Sequence, residues 1–359
     1  MSASTAAPTR LRRPTLAAAL RRGWSPTNAI TALILIALII ADLSIQPALA
    51  NLFQIGLLIE TALPLILLSV AQTFVVLVGG IDLSVGGMFV VANAITAQWV
   101  GLHGGAHQWL VLVAVGFGLA MGALNGLLVV GLRFQPFIAT LGTWTIFNGI
   151  ALTILPTDGG SPPPFLSNLL INEVAGIPTS IVILVAIFVA WRALRATRFG
   201  VRIYAVGADE ERARLNGTPV RRVKLAVYML AGLCAALAGI YAAGANASGT
   251  PTGGDPYILT SVAAVVIGGA SLRGGEGGVG MTMMAAMALT LINDIVGAEN
   301  LNTWVSVAAA SALLLAMVIV RTGINAAIAR RRASGRPTTG VGGAIPARAG
   351  GSVSERGES

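Results

Sequence analysis

Mostly apolar stretches recur along this chain at about 29–49, 55–79, 83–101, 109–132, 136–156, 178–194, 223–246, 257–271, 277–297 and 302–320. Hydrocarbon offers no water to a bare N–H or C=O. A segment crossing it therefore satisfies its own backbone best as a continuous helix of about 20 apolar residues. Ten such stretches predict an all-α, polytopic membrane protein of about ten transmembrane helices. The eighth stretch is short, and the third and fifth are rich in Gly and Thr, as re-entrant or broken helices are. Only 10% of the residues are charged and 55% are hydrophobic. A soluble domain is typically about a quarter charged, so most of this chain is solvated by lipid. The 44 glycines fall largely inside apolar runs, where small residues let helices approach closely.

The net charge of +9 could suggest nucleic acid, but the cations lie between or beyond the apolar runs and report orientation instead. With a cytoplasmic N-terminus and every stretch crossing, the inner segments hold Arg10, Arg12, Arg13, Arg21, Arg22, Arg133, the cluster from Arg192 to Lys224, Arg273 and the tail from Arg321. The outer face then carries Asp158, Glu173, Asp255 and Glu299 but no cation. This sorting predicts cytoplasmic N- and C-termini. It divides the chain into a basic N-terminal segment (1–28), a membrane domain (29–321) with a cytoplasmic loop at 192–224, and a Gly, Ser, Arg and Pro-rich disordered tail (322–359). An alternative reading of the start is a signal peptide ending at Ala48-Leu49-Ala50. Its leading segment is long for that, and its apolar run is nearer a full span. Cys234 stands alone in an apolar run, so no intrachain disulfide forms and a small core residue is expected.

The inner loop from Trp191 to Lys224 is too short for a catalytic domain and too long for a turn. Within it ADEERARL, Ala208 to Leu215, places acids before arginines, which suits a helix dipole, and Gly207 and Gly217 bracket it as breaks. The bland alternative is a solvated, positive-inside loop. In GGIDLSVGG, Gly79 to Gly87, Asp82 and Ser84 suit a helix N-cap. An acid at a membrane boundary also suits a gate or a partner contact. The string AVVIGGASL at Ala264 to Leu272 echoes VVLVGGIDL at Val75 to Leu83. Candidates for a polar solute path are Asp82, Ser84, Asn125, Phe137, Thr140, Thr143, Thr145, Asn148 and Asn293, nearly all of them groups that hydrogen-bond inside or at the edge of apolar runs. The competing role of Asn and Thr is to bind helices to one another. Ser161 to Pro164 stiffens the outer loop Thr157 to Ile177, as a docking surface or a plain connector. His103 and His107 supply only two ligands on a glycine-broken segment, so no metal is expected.

TRFGVRIYAVGADEERARLNGTPVRRVK, Thr197 to Lys224, closely resembles the cytoplasmic loop of ribose-type permeases of ATP-binding-cassette importers, in the branched-chain amino acid and monosaccharide permease superfamily. GGIDLSVGG, then NGLLVV and QPFIATLGT within Asn125 to Thr143, then SVAAVVIGGASLRGGEGG at Ser261 to Gly278, resemble the family's signatures in the family's order. The resemblance covers roughly residues 55 to 320. It implies a monosaccharide import subunit working with a second permease copy or paralogue, a cytoplasmic ATPase and a periplasmic or lipid-anchored solute-binding protein. It also implies an ATPase-coupling segment at Gly207, Ala208, Asp209, Glu211, Arg212, Ala213, Leu215 and Gly217. Lys224 is the only lysine and leucine follows it, so a G-x-x-x-x-G-K-[ST] phosphate loop is absent. ATP and Mg would bind the ATPase chain, and this chain is expected to bind no cofactor. One departure is Tyr257 to Ser261, YILTS, where the family often has an acid before the following small residues. The rival readings are an ion-coupled secondary transporter or channel using Glu60, Asp42 or Asp294, and an intramembrane enzyme, for which the sequence offers no nucleophile, base and acid set.

Overall fold

The computed structural model describes residues 26–100, 109, 111–302 and some residues between 304 and 323. In chain order these form α1 (Pro26–Ile45), α2 (Leu52–Leu77), α3 (Val85–Ala94), α4 (Val111–Gly126), α5 (Pro136–Ile154), α6 (Pro164–Ile171), β1 (Glu173–Val174), β2 (Ile177–Pro178), α7 (Thr179–Ala196), α8 (Arg198–Ala208), α9 (Glu210–Leu215), α10 (Val220–Ala245), α11 (Asp255–Ile267) and α12 (Val279–Ala298). Wider π-type turns prolong α3 through Ile95–Val100 and α4 through Leu127–Gly131. The basic N-terminal segment lies almost entirely outside the described residues. His103, His107, the tail at 322–359 apart from residue 323, and part of the tenth stretch also lie outside them.

Among the described residues six helices are long and apolar enough to cross a bilayer: α2, α4 with its extension, α5, α7, α10 and α12. Three shorter apolar helices run over Ala29–Ile45, Val85–Val100 and Asp255–Ile267. The protein is therefore an all-α polytopic membrane protein, relieved among the described residues by the small β1–β2 hairpin. The eighth stretch is shorter than the sequence suggests. Its helix α11 has 13 residues, a rise of about 20 Å against a hydrocarbon core of about 30 Å. The chain ahead of it runs unwound along α3. Gly249 lies against Ala97, the Thr250 N–H donates to Asn93 Oδ1 at 2.7 Å, and Gly254 lies against Gly86 and Val90.

The core is built around α10, which packs against α2, α3 and α4. Glycines 118, 122 and 126 recur every fourth residue on α4, and a Cβ on any of them would strike α10 at Ala236, Tyr228 or Leu225. This is the small-residue seam that lets two apolar helices touch backbone to backbone, where lipid gives no hydrophobic drive to do so. Tyr228, Phe89, Leu63 and Ile66 fill the interior.

One expectation about local structure needs correction. Gly207 does not break the helix ahead of ADEERARL but lies within α8. The break is Asp209, whose extended backbone and side chain cap α9 by accepting from the Arg212 N–H at 2.9 Å. A glycine stands at 207 because of what presses against it.

Candidate functional site

The two GG strings end their helices in the same way. The Gly79 N–H donates to Val76 O and the Gly80 N–H to Val75 O, while the Gly269 N–H donates to Val266 O and the Ala270 N–H to Val265 O. Each is a helix C-cap closed by a glycine in the left-handed region, at φ 79° and 84° respectively. The sequence echo is thus a repeated turn.

The first turn meets the loop that follows the second, where Gly79 lies against Arg273 and Gly274, and α8 seals this junction. The Gly275 N–H donates to Leu77 O at 3.0 Å, and Tyr204 Oη of α8 donates to Gly277 O at 2.8 Å. A Cβ at Gly207 would land on the Leu77 carbonyl oxygen and lie 2.5 Å from the Gly275 nitrogen. The connection between α8, the end of α2 and the loop that follows α11 is therefore backbone on backbone, with no side chain to give way.

From the first turn a buried chain of polar groups leads into the bundle. Asp82 Oδ1 accepts from the Ser84 N–H at 2.8 Å and from Ser84 Oγ at 2.6 Å. Asn125 Nδ2 of α4 donates to Ser84 Oγ at 2.6 Å, and Thr143 Oγ1 of α5 donates to Asn125 Oδ1 at 2.7 Å. Thr140 Oγ1 accepts from the Leu83 N–H at 3.0 Å. On the other side Gln72 of α2, oriented to satisfy its neighbours, donates to Asp82 O at 2.9 Å and accepts from the Asp82 N–H at 3.3 Å. All these side chains are buried. Asp82 makes a local turn with Ser84 rather than capping α3, whose N-cap Ser84 makes no side-chain cap bond.

Helix α5 has a second polar face. Phe137, Leu141, Trp144 and Asn148 recur at helical spacing about a quarter turn from Thr140, Thr143 and Phe147. Trp144 Nε1 donates to Asp255 Oδ1 at 3.2 Å and Asn148 Nδ2 to the same oxygen at 3.4 Å. Asp255 and Phe137 are exposed. Asn148 Oδ1 is buried without a partner. Thr145 turns its hydroxyl back onto Leu141 O at 3.3 Å.

On the sealed side two grooves flank α9. One, of about 600 Å³, is lined by Arg133, Glu210, Glu211, Arg214, Arg221 and Lys224 among others; the second, of about 400 Å³, by Ala208, Asp209, Arg212, Ala213 and Asn216 among others. Arg214 bonds Glu211 at 2.6 Å, which holds its guanidinium more firmly charged than usual, and Lys224 pairs with Glu210. Leu215 stands 76% exposed among these charges. Arg133, the 192–224 loop and the Arg273 turn thus share one side of the molecule.

The sequence model of the branched-chain amino acid transport system permease component matches residues 54–321. The chain belongs to this permease family. It is 36% identical over 279 residues to the ribose import permease of Escherichia coli (strain K12), covering 75% of this chain and 85% of that one. It is 34% identical over 237 residues to the fructose import permease of Rhizobium meliloti, covering 63% and 66%. It is 31% identical over 259 residues to the D-allose transport system permease of Escherichia coli (strain K12), covering 70% and 78%. No solved structure matches the chain significantly.

In the permease the sequence candidates separate into groups. Asp82, Ser84, Asn125, Thr140 and Thr143 form one connected interior network. Asn148 joins a different, open cluster, and Asn293 is exposed on α12 beside Asp294. Of the coupling residues, Ala213 is buried and Gly207 is wedged into the body, while Ala208, Glu211, Arg212, Leu215 and Gly217 face outward. Among the acids of the ion-coupled reading, Asp42 and Asp294 are bridged by Gln46 at 3.2 and 2.9 Å, linking α1 to α12. Glu60 is half-buried on α2. Sequence reasoning missed Gln72, Trp144, Tyr204 and Asp255. Asp255 alone carried a signal, as an acid two residues ahead of the Tyr257 segment that departs from the family pattern.

Proposed function

We propose that this permease is the membrane-spanning subunit of an ATP-binding-cassette importer of a monosaccharide in the cytoplasmic membrane. In this reading it has about ten spans, both termini are cytoplasmic, and the shared basic side is the cytoplasmic one. The observation that carries it is the backbone seal of α8 onto the end of α2 and the loop that follows α11. An ATPase docked on α8–α9 would move the end of α2 and the loop that follows α11 together, because no flexible side chain intervenes. Ala208, Glu211, Arg212 and Leu215 offer that ATPase a mixed charged and apolar surface with a groove on either side of α9. ATP and Mg belong to the ATPase chain. A separate binding protein delivers the solute to the opposite face, and a second permease copy or paralogue completes the channel. The relatives named for ribose, fructose and allose favour a monosaccharide, which suits a path with amide and hydroxyl groups.

The test is co-purification and reconstitution. Ala208→Asp and Leu215→Asp should insert normally yet lose the ATPase, and uptake of labelled D-ribose, D-fructose or D-allose into proteoliposomes should require ATP and the ATPase. Accumulation by the permease alone would establish the ion-coupled reading instead. Cysteines at Ser161 and Arg212, probed from the two sides of the membrane, should label from opposite sides.

A further inference from the structure

Resting on the reading above, we infer that Asp255, Trp144 and Asn148 form a contact site for the hydroxyl groups of the transported sugar, halfway along its path. The argument starts from depth. Trp144 and Asn148 lie near the middle of α5, a 19-residue apolar helix, and both hydrogen-bond to Asp255. The carboxylate therefore sits far from either end of a spanning helix, yet it is exposed on the single chain.

A carboxylate at that depth facing lipid is strongly disfavoured, and such groups face a bundle interior or a water-filled cavity. The neighbouring backbone points the same way. Residues 249–254, which lead into Asp255, are unwound alongside α3, with Thr252 exposed. Irregular backbone at membrane depth is tolerated only where protein buries it or water lines it. Apolar side chains are exposed on this face too, Leu141 and Leu259 among them, but here a carboxylate and unwound backbone stand beside them, unlike the faces of α1 and α7. Leu33, Ile36 and Ile40 on α1 and Val185, Phe188 and Val189 on α7 are purely apolar, the surface that lipid selects. The α5–α11 face is thus the one turned to water.

The chemistry of the cluster suits a polyol. Two neutral donors converge on Asp255 Oδ1, which leaves Oδ2 to accept from a solute hydroxyl. The Trp144 ring supplies an apolar surface for the carbon side of a sugar ring. A single carboxylate already bonded by an indole and an amide does not make a cation cage, which needs several oxygen ligands.

The site is tested with Leu259→Cys in a Cys234→Ser background, using the full permease and ATPase complex in liposomes. Leu259 lies one turn beyond Asp255 and is 74% exposed. A membrane-impermeant charged thiol reagent should modify it at least about tenfold faster than Val185→Cys on the apolar face of α7, as expected for water against lipid. D-ribose, D-fructose or D-allose should slow that labelling. Equal rates at the two positions would overturn the proposal whatever the solute, and protection by a guanidinium compound but by none of the sugars would overturn its ligand. Uptake is the second measurement. Asp255→Ala and Trp144→Phe should each lower uptake about tenfold or more, the scale of one lost hydrogen bond to a charged group. Unchanged uptake in both also overturns the site. Wild-type complex that takes up none of these sugars, while Leu259→Cys still labels rapidly, would refute the monosaccharide reading and with it the sugar site.

Discussion

Asp82 and Asp255 each stand just after a glycine-rich turn at the start of a short helix, but the chain surrounds them in opposite ways. Asp82 is fully buried, with Ser84 on its carboxylate, Gln72 on its backbone, and Asn125 and Thr143 extending the chain of bonds to α4 and α5. Asp255 is exposed, and its partners Trp144 and Asn148 come from a single helix. A polar group closed in by four elements fixes their relative positions. One held from a single side keeps capacity for a passing solute. The same residue type therefore joins helices at one place and offers hydrogen bonds at the other, and changes at the two should separate stability from transport.

The largest loss of stability is expected at the junction that the closed region rests on. Gly207→Ala places a methyl group on the Leu77 carbonyl and against Gly275. Backbone cannot rotate away as a side chain can, so the variant should be destabilised by about 3 kcal/mol or more. Thermal unfolding of the purified permease in detergent would measure this, and a wild-type melting temperature would mean that α8 is not sealed to the end of α2 and the loop that follows α11. Next comes Asn125→Leu, which keeps the branched shape with bulkier ends and removes the buried link between α3 and α5, leaving Ser84 bonded only to Asp82 and Thr143 only to Thr140 O. Its cost should be about 1–3 kcal/mol, read in the same assay. If Asn125→Leu proved as stable as wild type, the buried network would not be what ties α3, α4 and α5 together. A smaller effect belongs to Asp209→Ala, which removes the cap of α9 and should cost about 1 kcal/mol. Because α9 lies at the surface, the more telling readout is a weaker affinity for the ATPase with little change in melting.

The membrane class and the helical architecture were legible in the sequence, because the length of an apolar run follows directly from the bilayer. The sites themselves were legible only in part. Asp82, Ser84, Asn125, Thr140 and Thr143 were chosen as polar residues in apolar runs, and the fold gathers them into one network. Nothing in their spacing says that this network is closed while Asn148, five residues after Thr143, faces outward. That distinction depends on which face of α5 meets α3, a property of packing. Gly207 was misread as a helix break for a similar reason. Breaking a helix and admitting another backbone both call for glycine, and only the position of Leu77 separates them. The echo between Val75–Leu83 and Ala264–Leu272 was too short to argue from, yet the two strings make the same pair of backbone bonds.

The smallest expected change in stability tests the comparison most directly. Asp255→Asn keeps the size of the side chain and an oxygen for Trp144 and Asn148, and the site is exposed, so stability should move by no more than about 0.5 kcal/mol. Transport should nevertheless fall, because an amide oxygen accepts more weakly than a carboxylate, whose bonds are about twice as strong as neutral ones. An Asn125 variant should behave in the reverse sense, less stable but with uptake per folded molecule falling only as far as the helix positions shift. Measuring melting temperature and uptake for both variants in one preparation gives four values. If Asp255→Asn lost stability as Asn125→Leu does, the two aspartates would share a structural role and the open face of α5 would be closed in the assembled transporter.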